Sequence, residues 1–353
     1  MRYRRFAATI LVIGGVAWTS RAGATFNTID VPGAANGTSA AGINARGQIV
    51  GSYADAAGHN LAFLLDHGTF TTIDFPGAAC TQAIGINARG QIVGGYAEKS
   101  CNPFAGMVPH GFFLDDGNFT TIDVTRARGI NNRGQIVGEA GANCFLLDRG
   151  TFTTIKVPFA GVRITFCSGI NDRGQIVGGY FDTTSHGFLL DDGTFTTIDV
   201  PGATSTTPNG INDRGQIVGG YYVSDPTGNQ HGHGFLLDDG TFTPIDVPGA
   251  PYTNAQGINN RGEIVGFYSY PTTGSLGFLL DFDRRLVACP SVPESVTELP
   301  PCLICPSGCS LRPALGQFQP ECRAATLTST PSIVSGMTTW TFGSCRSSSA
   351  RLD

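Results

Sequence analysis

Adjacent carboxylates are the first residues in this sequence whose types and spacing could do chemistry. Asp115-Asp116, Asp191-Asp192 and Asp238-Asp239 each stand directly before a glycine. Glycoside hydrolysis uses two carboxyl groups about 5 to 10 Å apart across a cleft, in unequal environments. Neighbouring aspartates before a glycine are instead typical of a tight turn between two strands. We therefore interpret these pairs as turn residues and predict no catalytic residue.

Three histidines share one local context, His-Gly-Phe. They are His110, His186 and His233. Histidine is a common metal ligand, and a repeated histidine could contribute to a ring of ligands. Only half of the repeats described below carry it, which favours a hydrogen-bonded structural histidine. We predict no metal site and no cofactor.

The ten cysteines could form disulfides or bind zinc as thiolates. In an exported protein cysteines pair by default, so disulfides are the favoured interpretation. Cys80 and Cys101 flank the open end of one predicted hairpin, and Cys144 and Cys167 lie on neighbouring repeats, so each of these pairs could form a disulfide. Six more cysteines lie near the end of the chain: Cys289, Cys302, Cys305, Cys309, Cys322 and Cys345. We expect disulfides among these six, but the sequence leaves their connectivity open, and an all-cysteine zinc site is the alternative.

A repeated block positions all of these residues. Gly-Ile-Asn begins at Gly42, Gly85, Gly129, Gly169, Gly210 and Gly257, at intervals of 40 to 47 residues. Each block continues into a β-branched Ile-Val pair, then a short apolar run, an Asp-rich turn and an alternating Thr-Phe-Thr-Thr-Ile segment. These pieces predict four short strands joined as an antiparallel meander. Four strands in this length are typical of one propeller blade.

The two ends of the array indicate how it closes. The chain enters on a lone fourth strand, residues 26–30, and leaves on a lone third strand, residues 277–281. Together these fragments complete one blade and remove two exposed sheet edges. We predict an all-β fold, a six-bladed β-propeller of four-stranded blades whose ring is closed by the N-terminal strand, followed by a Cys/Pro-rich C-terminal extension. A β-solenoid or prism-like stack is the alternative.

The repeats resemble the HAF-type extracellular repeats of bacterial proteins. That family is named for His-Ala-Phe, where this chain has His110-Gly111-Phe112, His186-Gly187-Phe188 and His233-Gly234-Phe235. The first repeat has Ala62-Phe63 without the histidine. The resemblance covers residues 25–285 and implies an extracellular β-repeat protein, with no activity to carry over.

Loops of unequal length lie on one predicted face of the ring, and binding sites often form on such loops. Aromatic residues gather where the loops begin: Tyr53, Tyr96, Tyr180, Phe181, Tyr221, Tyr222, Tyr268 and Tyr270. They could form a ligand-binding rim that stacks on sugar rings or holds a protein. The alternative is that the rings end their strands and pack between blades.

Residues 1–24 have the pattern of a secretory signal peptide. Arg2, Arg4 and Arg5 precede an apolar stretch that is short for a membrane span, and Ala22-Gly23-Ala24 matches a cleavage site. A short membrane anchor is the alternative. Removal of this segment takes four arginines from the 22 basic residues and leaves 27 acidic ones. Because an acidic chain repels phosphate backbones, we expect no nucleic-acid partner.

These observations predict three parts: a signal peptide at 1–24, a six-repeat β-propeller at 25–287 and a cysteine-rich extension at 288–353. We expect a secreted protein, extracellular or periplasmic, with no membrane span in the mature chain. The favoured function is a non-catalytic scaffold or binding protein that uses the variable-loop face, with a glycan or an extracellular protein as partner. The alternatives are an extracellular carbohydrate-active enzyme on a propeller scaffold and an envelope or surface structural protein.

Overall fold

The computed structural model describes residues 24–35, 37–99, 109–270, 274–282, 333–334 and 337–338. Every regular element in these ranges is a β-strand. The chain divides into two compact regions, residues 1–288 and residues 289–353. In the second region the described elements are β25 (Ile333–Val334) and β26 (Met337–Thr338), which pair with each other in antiparallel fashion.

Twenty-four strands belong to the first region, and β1 (Ala24–Ile29) precedes the repeats. The first repeat contains β2 (Thr38–Ile43), β3 (Ile49–Ala54), β4 (Asn60–Asp66) and β5 (Thr69–Ile73). The second contains β6 (Cys80–Ile86), β7 (Ile92–Ala97), β8 (Pro109–Asp115) and β9 (Asn118–Ile122). The third contains β10 (Arg126–Ile130), β11 (Ile136–Ala140), β12 (Asn143–Asp148) and β13 (Thr151–Ile155).

The remaining repeats follow the same order. The fourth contains β14 (Ile164–Ile170), β15 (Ile176–Phe181), β16 (Ser185–Asp191) and β17 (Thr194–Ile198). The fifth contains β18 (Ser205–Ile211), β19 (Ile217–Ser224), β20 (Gln230–Asp238) and β21 (Thr241–Ile245). The sixth has three strands of its own: β22 (Tyr252–Ile258), β23 (Ile264–Tyr270) and β24 (Gly274–Phe282).

Within each repeat, consecutive strands pair in antiparallel fashion, as the sequence predicts. The sixth repeat obtains its fourth strand from the other end of the chain. There β1 pairs with β24 in antiparallel fashion, with Ala24 opposite Phe282 and Ile29 opposite Gly277. The two terminal fragments recognised in the sequence are therefore partners in one sheet.

The core is built from two side chains that recur in each repeat. One is the valine of the Ile-Val-Gly segment and the other is the phenylalanine of the third strand, and both are almost fully buried. Val50 of the first repeat packs in one cluster with Phe112 of the second, and Val265 of the sixth packs with Phe63 of the first. Neighbouring repeats thus share apolar clusters, and the last repeat shares one with the first.

Glycine is required where the first strands of neighbouring repeats approach each other. A Cβ atom added to Gly257 would lie 2.8 Å from the carbonyl oxygen of Ala41, which belongs to the first repeat. That distance is shorter than non-bonded atoms tolerate, so a side chain would force the two repeats apart. The repeated Gly-Ile-Asn block therefore begins with glycine because the backbones meet there.

The Asp-rich turns have the backbone that their sequence predicts. Asp116, Asp192 and Asp239 each have φ between 44° and 46°, and the glycine that follows also has positive φ. This left-handed pair is the geometry of a two-residue hairpin turn. The adjacent aspartates are turn residues.

The third repeat has a shorter link before its first strand than the second repeat has. Residues 123–125 separate β9 from β10, whereas residues 74–79 separate β5 from β6.

Cys144 and Cys167 form a disulfide between the third and fourth repeats, with their Cα atoms 5.3 Å apart. This confirms the predicted pair. The other disulfide predictions fall outside the described residues, because Cys101 and the six cysteines after residue 288 are not among them. The signal-peptide prediction also lies outside the described residues, apart from its last residue, Ala24.

Candidate functional site

Six buried asparagines join the repeats around a common centre. The asparagine of each Gly-Ile-Asn block uses its side-chain Nδ2 to donate to the backbone carbonyl oxygen of the equivalent asparagine in the next repeat. These bonds measure 2.9 to 3.2 Å and include one from Asn259 of the sixth repeat to Asn44 of the first. The hydrogen bonds therefore run through all six repeats and return to their starting point.

Each asparagine also organises its own turn. The Asn171 side-chain oxygen accepts hydrogen bonds from the backbone N–H groups of Arg173 and Gln175, and its Nδ2 also donates to the Gln175 side chain. Gln175 in turn donates to Asp191 in the Asp-rich turn at 2.8 Å. One asparagine thus connects the first turn, the third turn and the neighbouring repeat, which explains why Asn-x-x-Gly-Gln recurs in five of the repeats.

The six repeats surround a central cavity, called the channel below, and a β-bulge in each repeat places one residue on its wall. The bulge lies in the first strand, directly before Gly-Ile-Asn, in every repeat. Bulges redirect side chains and are frequent next to binding sites. The six bulge residues line one cavity of about 90 Å³: Ala41, Ile84, Arg128, Ser168, Asn209 and Gln256. No two of them are of the same type.

The third repeat contributes the charged part of the wall. Arg128 lies 2.6 Å (Nη2) and 2.7 Å (Nε) from the same carboxylate oxygen of Glu139. Arg126 stands directly opposite Glu139 in the β10–β11 register. Glu139 stands where three of the other five repeats have glycine, so the third repeat differs from those three at this position of the second strand.

Two polar groups in this area have no hydrogen-bond partner among the described residues. They are the hydroxyl of Ser168, which lines the channel cavity, and Nε of Arg126, which is not among the lining residues. Burial and the neighbouring Arg128 lower the pKa of Arg126, while Glu139 acts in the opposite direction. A buried polar atom without a partner is costly, and water or a ligand commonly supplies the missing bond.

A second central cavity lies beside the Asn-x-x-Gly turns, and the polar side chains around it form hydrogen bonds between neighbouring repeats. The residues after the six asparagines surround it, and Asn132 donates from its side chain to Asp172 at 2.6 Å. The backbone N–H of Asp172 donates to Asp213, and that of Asp213 donates to Asn260. Hydrogen bonds between neighbouring turns therefore occupy these side chains, in contrast to Arg126 and Ser168.

The predicted aromatic rim divides into buried and exposed residues. Tyr96, Tyr180, Tyr221 and Tyr268 are buried, Tyr53 and Tyr270 are half-buried, and Phe181 and Tyr222 are 36% and 37% exposed. The four buried tyrosines therefore fit the alternative in which the rings pack between repeats, because their buried rings have no free face for a ligand. Ligand binding by the exposed pair stays a prediction.

The repeat itself holds the tyrosine at the end of the second strand. The hydroxyls of Tyr96 and Tyr180 are hydrogen-bonded to Thr121 and Thr197 of the fourth strand, at 3.0 and 3.2 Å. Tyr53 and Tyr268 make the same bond to Thr72 and Thr28. In the fifth repeat Pro244 stands at the position of this threonine and offers no hydroxyl.

The repeated histidines have structural partners. Their rings stack on the tyrosines of the second strand, with ring centroids 5.1 to 5.3 Å apart. Nδ1 of His186 lies 2.9 Å from Asp199, and Nδ1 of His233 lies 2.9 Å from Asp246. Among the described residues, no group of histidine, cysteine, aspartate and glutamate is arranged to hold a metal ion.

The sequence does contain a signal for the channel site, the residue directly before each Gly-Ile-Asn block. The residue before Gly-Ile-Asn is different in every repeat, whereas the Gly-Ile-Asn that follows it is constant. To interpret this difference one must know that the first strand lies innermost and that a bulge turns the residue toward the centre. Neither fact follows from the strand pattern.

Comparisons with known proteins leave the family open. No protein-family model matches the chain, and no curated protein matches it. A protein of unknown function from Dyadobacter fermentans has a similar structure, with 12% identity, a TM-score of 0.47 and coverage of 74% of this chain and 100% of that one.

The part of the chain that the structure describes contains no helix with the length and apolarity to cross a membrane.

Two further solved structures are β-propellers or lectins. The β-propeller domain of the Trilobed protease from Pyrococcus furiosus is 13% identical, with a TM-score of 0.38 and coverage of 69% of this chain and 95% of that one. A variant of Aleuria aurantia lectin in complex with alpha-methyl-L-fucoside is 11% identical, with a TM-score of 0.39 and coverage of 72% and 93%. These similarities are too distant to assign a function to this chain.

Proposed function

We propose that the chain is a secreted six-bladed β-propeller, closed by its N-terminal strand, that serves as a non-catalytic binding scaffold. The pairing of β1 with β24 supports the closure. The hydrogen bond from Asn259 to Asn44 and the contact between Gly257 and Ala41 support a ring of six. Each contact joins the last repeat to the first, which an open stack would not do.

One observation carries the binding role: six residues that differ from repeat to repeat line one central cavity. The constant residues form turns, shared apolar clusters and the asparagine hydrogen bonds, so they account for the frame. The six bulge residues do not repeat and line one cavity. The first strands run toward the Asn-x-x-Gly turns, so the unsatisfied end of the channel opens toward the variable loops. We place the ligand there.

The turn geometry supports a non-catalytic role for the adjacent aspartates. Asp115 accepts a hydrogen bond from Gln91 and Asp116 has the positive φ of the turn. These carboxylates therefore shape the hairpins, away from the channel wall. A carbohydrate-active enzyme and an envelope or surface structural protein stay as alternative proposals.

Secretion and membership of the HAF-type repeat proteins are part of the same proposal. The signal-peptide pattern of residues 1–24 supports export. The Cys144–Cys167 disulfide supports it too, because disulfides persist in oxidising compartments. A glycan or an extracellular protein is the partner that this location offers.

Array binding with product analysis tests the proposal. The protein from residue 25 onward is applied to glycan and extracellular-peptide arrays, and the bound compounds are then incubated with it and analysed by mass spectrometry. We expect retention of at least one ligand without any cleaved product. Cleavage that a single aspartate or glutamate substitution abolishes would support the enzyme instead. Self-association through the C-terminal region, seen by light scattering without ligand binding, would support the structural alternative.

A further inference from the structure

A groove of about 440 Å³ lies between the second and third repeats. Its apolar walls are Phe113 and Ile122 of the second repeat and Ile136, Leu147 and Phe152 of the third. Small-molecule sites in proteins have volumes of about 300 to 1,000 Å³ and mostly apolar walls. The groove shares no lining residue with the channel cavity, so a ligand in it would be additional to the one proposed above.

Phe152 is exposed although its counterparts are half-buried. Its side chain is 51% exposed, whereas the phenylalanine at the same position of the fourth strand is half-buried in each of the other five sheets. In the second repeat, Phe75 of the preceding link packs on this phenylalanine, Phe119, with ring centroids 5.0 Å apart. The link before the third repeat consists of residues 123–125 and contains no aromatic residue. We attribute the open groove to this short link.

Two arginines that line the groove lie together at one of its ends. Nη2 of Arg89 donates to the backbone carbonyl oxygen of Asn132, in the first turn of the third repeat, at 2.6 Å. Gln135 of the same turn donates to Asp148, the residue directly before Arg149, at 3.1 Å. The groove therefore has both guanidinium groups at the end formed by the turns.

The charge of these arginines is not neutralised within the groove. A carbonyl oxygen, the acceptor of Arg89, carries no net charge. Nε of Arg149 lies 3.8 Å from Asp148, which is longer than a hydrogen bond, and its side chain is 92% exposed. Two guanidinium groups and one neighbouring carboxylate leave this end with a net positive charge.

The opposite end of the groove has the opposite charge. Gln91 donates to Asp115 at 2.9 Å, so β9 begins at the end where the arginines lie. Asp123 follows the last residue of β9 and is the one carboxylate among the described residues that line the groove. A strand of this length spans roughly 16 Å. An anionic group is therefore attracted to the arginines and repelled from the end at Asp123.

Arg149 also departs from the repeat. Three other repeats have aspartate at this position of the turn: Asp116, Asp192 and Asp239. The backbone is the same in all four, with φ of 44° to 46° at the aspartates and 47° at Arg149. The turn does not require an arginine, so its presence beside the open groove needs another reason.

We propose that this groove binds an apolar monocarboxylate, such as a medium-chain fatty acid. Its carboxylate lies beside Arg149 and Arg89, and its chain packs against Phe113 and Phe152. Guanidinium groups bind carboxylates through charge-assisted hydrogen bonds, and burial of the chain removes apolar surface from water. At roughly 30 Å³ for each water-sized group, the groove has room for about fifteen such groups, which is more than the chain needs.

The small exposed apolar surface favours a small ligand over a protein partner. A stable protein–protein interface buries roughly 800 Å² on each side. Phe152 is the one large, exposed apolar side chain among the described residues that line the groove. One exposed ring above a deep apolar space is suited to a single chain.

Calorimetric titration of the chain from residue 25 onward tests the site with three matched probes. Octanoate has both the apolar chain and the carboxylate, 1-octanol has the chain alone, and acetate has the carboxylate alone. We expect octanoate to bind with one molecule per chain, 1-octanol to bind at least tenfold more weakly, and acetate to give no measurable binding. No binding of octanoate, or equal affinities for octanoate and 1-octanol, overturns the proposal.

Two variants separate the charge from the apolar space. Arg149→Asp inserts the residue that three other repeats carry at the same φ, so the turn should fold, and we expect octanoate binding to weaken at least tenfold. Thr120→Trp places a large ring on an exposed strand residue that lines the groove, and it should abolish binding. Arg163→Asp is the control, because it makes the same charge change at an exposed arginine outside the groove and should change the affinity less than twofold.

Unchanged octanoate affinity in Arg149→Asp, or an equal loss in Arg163→Asp, refutes the groove as a carboxylate site. Ala41→Phe distinguishes this site from the channel, since Ala41 lines the channel cavity and not the groove. We expect this variant to keep its octanoate affinity. Loss of octanoate binding in Ala41→Phe would assign octanoate to the channel and overturn the groove site, while the binding scaffold proposed above would stand.

Discussion

At the scale of single residues, the same side chain has a different environment in different repeats. The second-strand tyrosine is hydrogen-bonded to a fourth-strand threonine in four repeats, and in the fifth it meets Pro244 instead. Burial and Asp246 raise the pKa of Tyr221 in that repeat to about 12. Tyr221 can therefore serve as the control when the contribution of the tyrosine–threonine hydrogen bond to stability is measured.

We predict that Tyr180→Phe lowers the free energy of unfolding by about 1 kcal/mol, because it removes the hydrogen bond to Thr197 and keeps the ring. Tyr221→Phe should cost clearly less, since no threonine hydroxyl faces that ring. Urea denaturation of both variants measures the difference. Equal losses in the two variants would show that the hydroxyl bond does not stabilise the repeat.

Residue types predict the turns and the structural histidines well. Aspartate before glycine specifies a local backbone, and a histidine beside a tyrosine in a repeated frame finds the same partners each time. The aromatic rim could not be assigned in the same way. Whether Tyr180 is buried and Phe181 exposed depends on which side of the strand faces the neighbouring repeat, and the sequence does not specify that side.

At the scale of elements, the first strand of each repeat determines the architecture. Its glycine allows the repeats to approach, its asparagine bonds to the next repeat, and its bulge residue reaches the channel. The four strands per repeat could be predicted, because local periodicity specifies strands and turns. Their radial order could not, because it depends on contacts between residues about 40 positions apart.

The asparagine connections should be important for stability. Asn171→Ala removes two hydrogen bonds to backbone N–H groups of its own turn, one to Gln175 and one to the next repeat. We expect a loss of about 3 kcal/mol in the free energy of unfolding, since buried donors lose their acceptors. Chemical denaturation measures this loss.

Asn118→Ala is the control for that variant. Asn118 is the exposed first residue of β9, directly after a hairpin turn, and its side chain donates to the carbonyl oxygen of Asp116. Its replacement should change stability by less than about 0.5 kcal/mol, as for surface positions in general. A similar loss in both variants would contradict the special role of the buried asparagines.

At the scale of the whole molecule, the residues that recur in every repeat and the residues of the proposed binding site lie in different places. The repeats share valine, phenylalanine, asparagine and glycine positions, and these residues build the contacts between repeats, including those from the sixth to the first. The six bulge residues, which differ in every repeat, line the channel cavity, and in the third repeat the lining Arg128 forms an ion pair with Glu139. The spacing of the Gly-Ile-Asn blocks could predict the repeats, but not that their bulge residues share one cavity, because that depends on contacts between repeats.

The central proposal is that ligands bind in the channel, where the bulge residues differ, and the exposed pair Phe181 and Tyr222 is the alternative site. Calorimetry with an array-selected ligand tests it on two variants, Ala41→Phe and the double variant Phe181→Ala with Tyr222→Ala. Ala41 lines the cavity, so phenylalanine there should fill the channel, while Phe181 and Tyr222 are exposed outside its wall. With both variants folded by denaturation, we predict that Ala41→Phe abolishes binding and that the double variant keeps it. Binding that survives in Ala41→Phe and disappears in the double variant would contradict the claim.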